Sequence, residues 1–183
     1  PQRTDLLFWR QQILAGGDEV RAITGSLVAE RAALSKAVVE IIEDVDLQKE
    51  RPHVVEAAMV LAGEVQLTEC IPVLAENTLF WAEPPSVFVV EGIESFPAGM
   101  ALVRIGFGSV PTLLHVLQSD DADSALVASM ALNKMQKKPL ILDLMVATIG
   151  RVEDNARRDE LGIYIRVMES TIKDEPRRGI PQQ

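Results

Sequence analysis

The sequence predicts an all-α fold: a short right-handed α-solenoid of about four antiparallel helix pairs. Three observations lead to this prediction. A five-residue pattern of Ala, a small residue, Met, Val or Ala, and Leu occurs three times, a Pro follows each copy, and β-branched residues cluster only at residues 87–90. The 183 residues are 48% apolar and 25% charged, which is typical of one folded domain with a sizeable core.

The repeated pattern lies at residues 57–61, 98–102 and 128–132 and contains three of the six Met residues. In each copy an Ala precedes a Leu by four residues, so the two side chains are expected to share one helix face. A small side chain beside a large one lets a neighbouring helix approach closely. Stacked helix pairs need such a face because a single pair cannot bury its apolar stripe alone.

Pro residues predict where helices begin, since Pro is tolerated in a helix only in the first turn. Pro52 predicts the start of the helix that carries the first copy of the pattern. Pro72, Pro111 and Pro139 predict a second helix after each copy, and apolar residues recur there at helical spacing. The repeating unit is therefore predicted to be a helix that ends in the pattern, a short turn and a second helix that begins with Pro.

The pattern and the Pro positions resemble those of the HEAT and HEAT-like (bilin-lyase-type) repeat family over about residues 52–152. In the most similar stretch, the positions typical of a repeat are occupied by Pro111, Leu113, Leu117, Asp120, Ala128 and Leu132. The Val-Arg pair of a typical repeat is replaced by Ala125-Leu126, and in the earlier copy by Val54-Val55. The Asp–Arg ladder of many such repeats is therefore expected to be missing. The resemblance implies stacked helix pairs and says little about function, because such folds host many activities.

One α-solenoid domain is predicted for residues 1–173, followed by a loose tail at residues 174–183. The repeats are predicted at about residues 18–65, 68–106, 108–136 and 139–172. A first helix is predicted to end before Gly16-Gly17, and Asp18 and Ser35 are predicted to cap later helices. Residues 45–51 are polar, and a loop is predicted there.

An aromatic-rich segment from residue 77 to residue 97 interrupts the repeat. It lengthens the first spacing between copies of the pattern to 41 residues, against 30 for the second. Insertions in solenoids often lie on the binding face, and aromatic residues are frequent anchors at interfaces. Phe80, Trp81 and Phe88 are therefore candidates for binding a partner. The alternative is that these rings fill the core where the repeat is irregular.

Acidic residues are concentrated in the first half of the chain. Residues 1–100 contain 7 basic and 16 acidic residues, residues 101–183 contain 11 of each, and residues 52–103 contain no Lys or Arg. An acidic groove would attract a basic protein or peptide, and the candidate charges are Glu76, Glu83 and Glu91. The alternative is that these Glu residues lie on solvated helix faces. The net charge of −9 argues against nucleic acid or an anionic membrane as the partner.

The sequence contains no catalytic motif of the serine-elbow, P-loop or H-E-x-x-H kind. His53, His115 and Cys70 have no metal-ligand spacing, so neither a metal site nor a cofactor is predicted. We expect His53 to be exposed in a first helical turn and Cys70 to lie in a turn or helix cap. The three Asp residues at 120–123 lack the Gly and the distal Glu of a calcium loop, and they predict a helix N-cap.

These observations favour a non-enzymatic protein-binding scaffold that presents a solenoid groove to a protein or peptide. Two alternatives remain open. The first follows from the resemblance to bilin lyases, which implies a HEAT-like subunit or chaperone that handles a bulky cofactor such as a bilin. Alternatively, the chain is a fragment or subunit of a larger solenoid or homo-oligomer, for which terminal helices should expose apolar residues such as Leu6, Phe8 and Ile163.

The ends of the chain give two weaker expectations. A start at Pro1 rather than at Met predicts a chain that is processed or cut from a longer protein. No apolar run reaches the roughly 18 residues of a membrane span and no signal peptide is recognised, so a cytoplasmic location without membrane insertion is favoured.

Overall fold

The computed structural model describes residues 6–14, 28–82 and 92–174. These residues form helices joined by short turns and contain no β-strand, which confirms the all-α class. The α-helices of the described residues are α1 Leu6–Leu14, α2 Val28–Glu43, α3 Val45–Glu50, α4 Pro52–Glu64, α5 Ile71–Glu76, α6 Pro97–Ile105, α7 Val110–Leu117, α8 Ala122–Lys134, α9 Lys138–Ile149 and α10 Asn155–Asp174. The predictions for Gly16-Gly17, Asp18 and the C-terminal tail concern residues outside these ranges, apart from residue 174 at the end of α10.

Pro residues mark helix starts as predicted. Helix α6 begins at Pro97, which was not among the predicted starts, so its copy of the pattern lies at the start of the helix and not at its end. Helices α4, α5, α7 and α9 have Pro in one of their first two positions, as predicted. The missing N–H of Pro is harmless there, because the first backbone N–H groups of a helix have no partner within the helix. This local rule therefore places half of the helix starts.

Two local predictions are wrong. Ser35 does not cap a helix; it lies inside α2, and its hydroxyl donates a hydrogen bond of 2.9 Å to the carbonyl oxygen of Arg31 one turn earlier. The predicted loop at residues 45–51 is largely the short helix α3. The Asp44 side chain caps α3 by accepting hydrogen bonds of 3.1 Å from the backbone N–H groups of Asp46 and Leu47.

The repeated pattern is buried in two copies and shifted by one residue in the first. Ala98 and Ala128 are fully buried, whereas Ala57 is exposed and Ala58 is fully buried. The buried face of α4 is formed by Val55, Ala58, Met59 and Ala62, at the spacing of one helix face. Ala58 of α4 therefore occupies the buried position that Ala98 occupies in α6. Aligning the sequences at Ala57 instead pairs an exposed residue with a buried one.

Small residues allow α4 and α6 to approach closely at Gly63, a residue outside the repeated pattern. A Cβ atom added to Gly63 would lie 2.7 Å from the Cα atom of Ala101 in α6. Helix α6 contacts both α4 and α8, so the three helices that carry the pattern are joined through α6. Contacts also join α5 to α7 and α7 to α9, which places the Pro-initiated helices together. One continuous apolar core extends from Trp9 in α1 to Met168 in α10.

Side-chain hydrogen bonds connect α2, the turn after α4 and the end of α6. Arg31 of α2 donates hydrogen bonds of 3.0 and 3.1 Å to the carbonyl oxygens of Val65 and Gln66, after the end of α4. Gln66 in turn donates one of 3.1 Å to the carbonyl oxygen of Arg104, near the end of α6. Each bond satisfies a carbonyl group that a helix end leaves without a partner.

None of the described helices has the length and apolar character to span a membrane alone; Pro97–Ile105 and Phe107–Leu117 meet the criterion only together, with a bend of 115° between them.

Candidate functional site

Trp81 forms an aromatic surface at the start of α6. Its side chain is 37% exposed, and its ring packs on Phe96 with centroids 5.2 Å apart. Phe96 is only 4% exposed and occupies the N-cap position of α6. One face of the indole is therefore held by the core while the rest contacts solvent. We call the small cavity of about 210 Å³ in front of it the tryptophan surface; it is lined by His53, Glu56, Trp81, Ala82, Ser95 and Pro97.

The three predicted aromatic residues are not equivalent. Phe80 is half-buried and packs against the core, as the core-filling alternative expects for that ring. Trp81 is the more exposed of the two described rings, as the binding hypothesis expects. Phe88 lies outside the described residues, together with Glu83 and Glu91.

Glu76 is exposed at the end of α5, away from the residues that line the tryptophan surface. It lies in a shallow cavity of about 410 Å³ that also contains His115, Asp121 and Ser124. The structure therefore does not place Glu76 beside Trp81. The carboxylate beside Trp81 is that of Glu56, which the sequence analysis did not select as a candidate.

Cations from the second half of the chain reach the acidic first half. Arg104 lies 3.9 Å from the Glu64 carboxylate, and Lys134 lies 2.6 Å from that of Glu94. The hydrogen bond and charge of Lys134 lower the pKa of Glu94. The charge segregation along the sequence is thus partly neutralised in three dimensions, between residues that are about 40 positions apart.

The side chains that could bind a metal do not form a cluster. Among the described residues, no group of three or more His, Cys, Asp or Glu side chains is placed to hold a metal ion. His53 is exposed in the first turn of α4, as predicted, with its Nδ1 3.8 Å from the Glu56 carboxylate. Cys70 is fully buried at the N-cap position of α5. Burial, and next the charge of Glu69, raise the pKa of its thiol to about 12, so it is not a reactive nucleophile.

The acidic residues at 120–123 form a helix cap, as predicted. Asp121 is the N-cap of α8, and its side chain accepts a hydrogen bond of 3.2 Å from the backbone N–H of Asp123. A hydrogen bond from the Ser124 hydroxyl is the main cause of the lowered pKa of Asp121. These bonds account for the acidic residues as helix-capping groups.

The larger-solenoid alternative expects exposed apolar residues on the terminal helices α1 and α10. Leu6 and Phe8 of α1 are half-buried and pack against the core, so they do not supply the exposed apolar residues that the larger-solenoid alternative expects at that end. The exposed apolar residue of α1 is Leu7, at 60%. On α10, Ile163 and Val167 are 50% and 47% exposed and share one face, and the exposure of Ile163 is what the larger-solenoid alternative expects.

The structure also shows a groove that the sequence analysis missed. It has a volume of about 410 Å³ and lies between the turn after α6 and the turn after α8; we call it the edge groove. Its lining includes Arg104, Phe107, Lys134, Met135 and Lys137. Phe107 is 47% exposed, and the Lys137 ammonium lies 5.8 Å from its ring centroid. The sequence signal that was overlooked is an aromatic residue between two Gly residues, Gly106-Phe107-Gly108.

Comparisons with protein-family models, with curated proteins and with solved structures find no match to this chain. The resemblance to HEAT-like repeats therefore remains a prediction.

Proposed function

We propose that this protein is a non-enzymatic scaffold, a short α-solenoid that binds a basic protein or peptide segment. Three features support the solenoid. Contacts through α6 join α4 to α8, contacts through α7 join α5 to α9, and the consecutive pairs α5–α6, α7–α8, α8–α9 and α9–α10 are also in contact. A stack of this kind creates extended surfaces, which repeat proteins use for binding.

The tryptophan surface is the observation that carries the proposed binding function. A large ring held against Phe96 and still 37% exposed loses little conformational freedom when a partner covers it. The face of an indole attracts cations, and the Glu56 carboxylate lines the same cavity. A Lys or Arg side chain of the partner would therefore contact Trp81 and pair with Glu56.

Peptide display tests this proposal with a defined probe. Random peptides selected on the wild-type protein are expected to be enriched in Lys and Arg beside apolar residues. Trp81→Ala should weaken binding of the selected basic peptides by roughly 30-fold, which corresponds to the loss of about 2 kcal/mol typical of a buried aromatic anchor. Titration of a labelled peptide against both proteins provides the measurement.

Val146→Ala is the control, because Val146 is a 48% exposed apolar residue of α9 that does not line the tryptophan surface. It should leave the affinity unchanged. Equal binding of the basic peptides to wild type and Trp81→Ala, in proteins of equal thermal stability, would contradict the proposal.

A further inference from the structure

The edge groove lies at the opposite end of α6 from the tryptophan surface and has the opposite charge. Pro97 near the tryptophan ring opens α6, whereas Arg104 and Phe107 lie at its far end. Three cationic side chains line the groove, those of Arg104, Lys134 and Lys137, and no described carboxylate does. In a chain with a net charge of −9, this concentration of positive charge is a local exception.

Two of the three cations are held loosely by carboxylates outside the groove. The Arg104–Glu64 pair is 3.9 Å apart, and the Lys134–Glu94 pair, although short, joins side chains that are 52% and 60% exposed. Exposed ion pairs contribute little to stability because water competes for both charges. The carboxylates of a ligand can therefore replace Glu64 and Glu94 at small cost.

The third cation is positioned by an unusual backbone. Lys137 has a φ of 61°, in the left-handed region that Gly adopts most easily, and its ammonium lies 5.8 Å from the centre of the Phe107 ring. Gln66 and Gly106 have φ values of 55° and 86°, and they line the same groove. All the described residues with a positive φ thus converge on one place. Such conformations cluster at binding sites, where the surrounding structure maintains them.

We propose that the edge groove binds an acidic peptide segment that carries an aromatic or large apolar side chain. The apolar side chain contacts the exposed ring of Phe107 and the apolar surface of Val103 and Met135, and flanking carboxylates pair with Arg104, Lys134 and Lys137. The groove is about 410 Å³ in volume and open at the surface, which suits one anchoring side chain rather than an enclosed small ligand. This site is separate from the tryptophan surface and does not depend on binding there.

A synthetic peptide of about ten residues, rich in Asp and Glu around a single Phe, tests the proposal by fluorescence polarisation. We expect saturable binding that weakens as salt is raised from about 0.01 M to 0.1 M, because the Debye length falls from about 30 Å to about 10 Å. The same peptide with Ala in place of Phe should bind more weakly, and a peptide with Lys in place of every acidic residue should not bind to this groove.

Charge-reversal variants locate the binding. The double variant Lys134→Glu, Lys137→Glu is expected to reduce affinity for the acidic peptide at least tenfold, and Phe107→Ala several-fold. Lys137→Gly removes the positive charge at residue 137, and Gly readily adopts the positive φ of this position. This variant should therefore fold normally and still bind the acidic peptide more weakly. Lys173→Glu is the matched control, because Lys173 is also an exposed cation in the last turn of a helix.

The outcome with Trp81→Ala separates this proposal from the proposed function, since that variant should retain full affinity for the acidic peptide. The proposal is overturned if the wild type does not bind the acidic peptide. It is equally overturned if Lys137→Gly and the double variant bind it as well as Lys173→Glu does.

Discussion

At the scale of single residues, the buried thiol of Cys70 makes stability depend on alkaline pH. Its pKa is about 12 in the folded chain against 9.0 for an ordinary thiol, chiefly because burial disfavours the thiolate, and next because of the Glu69 charge. Between these two values the unfolded chain releases the proton and the folded chain keeps it. The contribution of Cys70 to stability is therefore complete below pH 9 and is lost as the pH rises towards 12.

Cys70→Ser should make the free energy of unfolding less sensitive to pH above 9, because Ser does not titrate in this range. Wild type is expected to lose up to about 1.4 kcal/mol per pH unit more than the variant. The hydroxyl can keep the hydrogen bond that the thiol donates to the Ser35 carbonyl oxygen. Urea unfolding at pH 8 and pH 10.5 supplies the measurement, and parallel losses in the two proteins would show that the thiol is not the cause.

At the scale of helices, the contact between α4 and α6 depends on the absence of a side chain at Gly63. A Cβ atom there would lie 2.7 Å from the Ala101 backbone, so Gly63→Ala forces the two helices apart. We expect a loss of about 1–3 kcal/mol, the usual cost of overpacking.

Gly162→Ala makes the same chemical change as Gly63→Ala but is expected to increase stability. Gly162 lies inside α10, and an added Cβ would meet only the end of the Arg166 side chain, at 3.6 Å. Ala is the better helix former by about 1 kcal/mol, so this variant should be more stable. Thermal denaturation should move the two midpoints in opposite directions, by about 2–4 °C per kcal/mol. A gain in stability for Gly63→Ala would show that α4 and α6 are less tightly packed than the structure indicates.

The same scale shows which helices the sequence could predict. Pro at a helix start is a local signal with few competing explanations, and it was correct at Pro52, Pro72, Pro111 and Pro139. Ser35 failed because a hydroxyl can bond to the preceding turn inside a helix as readily as it caps one. Helix α3 was missed because its sequence is polar, and its stability comes from the cap at Asp44 rather than from an apolar stripe.

At the scale of the molecule, the candidate sites depend on residues that are distant in sequence. The edge groove combines the turns after α4, α6 and α8. The left-handed backbone of Lys137 could not be predicted, because Lys rarely adopts this conformation and nothing in the sequence marks it. The aromatic Trp81 could be selected from composition alone. Its neighbour Glu56 could not, because it comes from α4 and only the packing of α4 on α6 brings it near.

The proposed solenoid predicts that a cavity in the middle of the chain has wider effects than one at the end. Leu102 in α6 and Leu161 in α10 are both fully buried, so replacing either with Ala should cost about 2–5 kcal/mol locally. Helix α6 contacts α4, α5 and α8, whereas α10 contacts α9 and, less extensively, α8. In a repeat stack, each unit is stabilised mainly by its neighbours, and an end unit can open alone.

Hydrogen exchange resolved by segment distinguishes the two cases. Leu102→Ala should reduce protection in α4, α5, α6 and α8 together, because opening at the centre separates both halves of the core. Leu161→Ala should reduce it mainly in α9 and α10 and leave α4 near its wild-type protection. If both variants lowered protection equally in every helix, the chain would unfold as one cooperative unit, and the stack of semi-independent helix pairs that the proposed scaffold requires would be wrong.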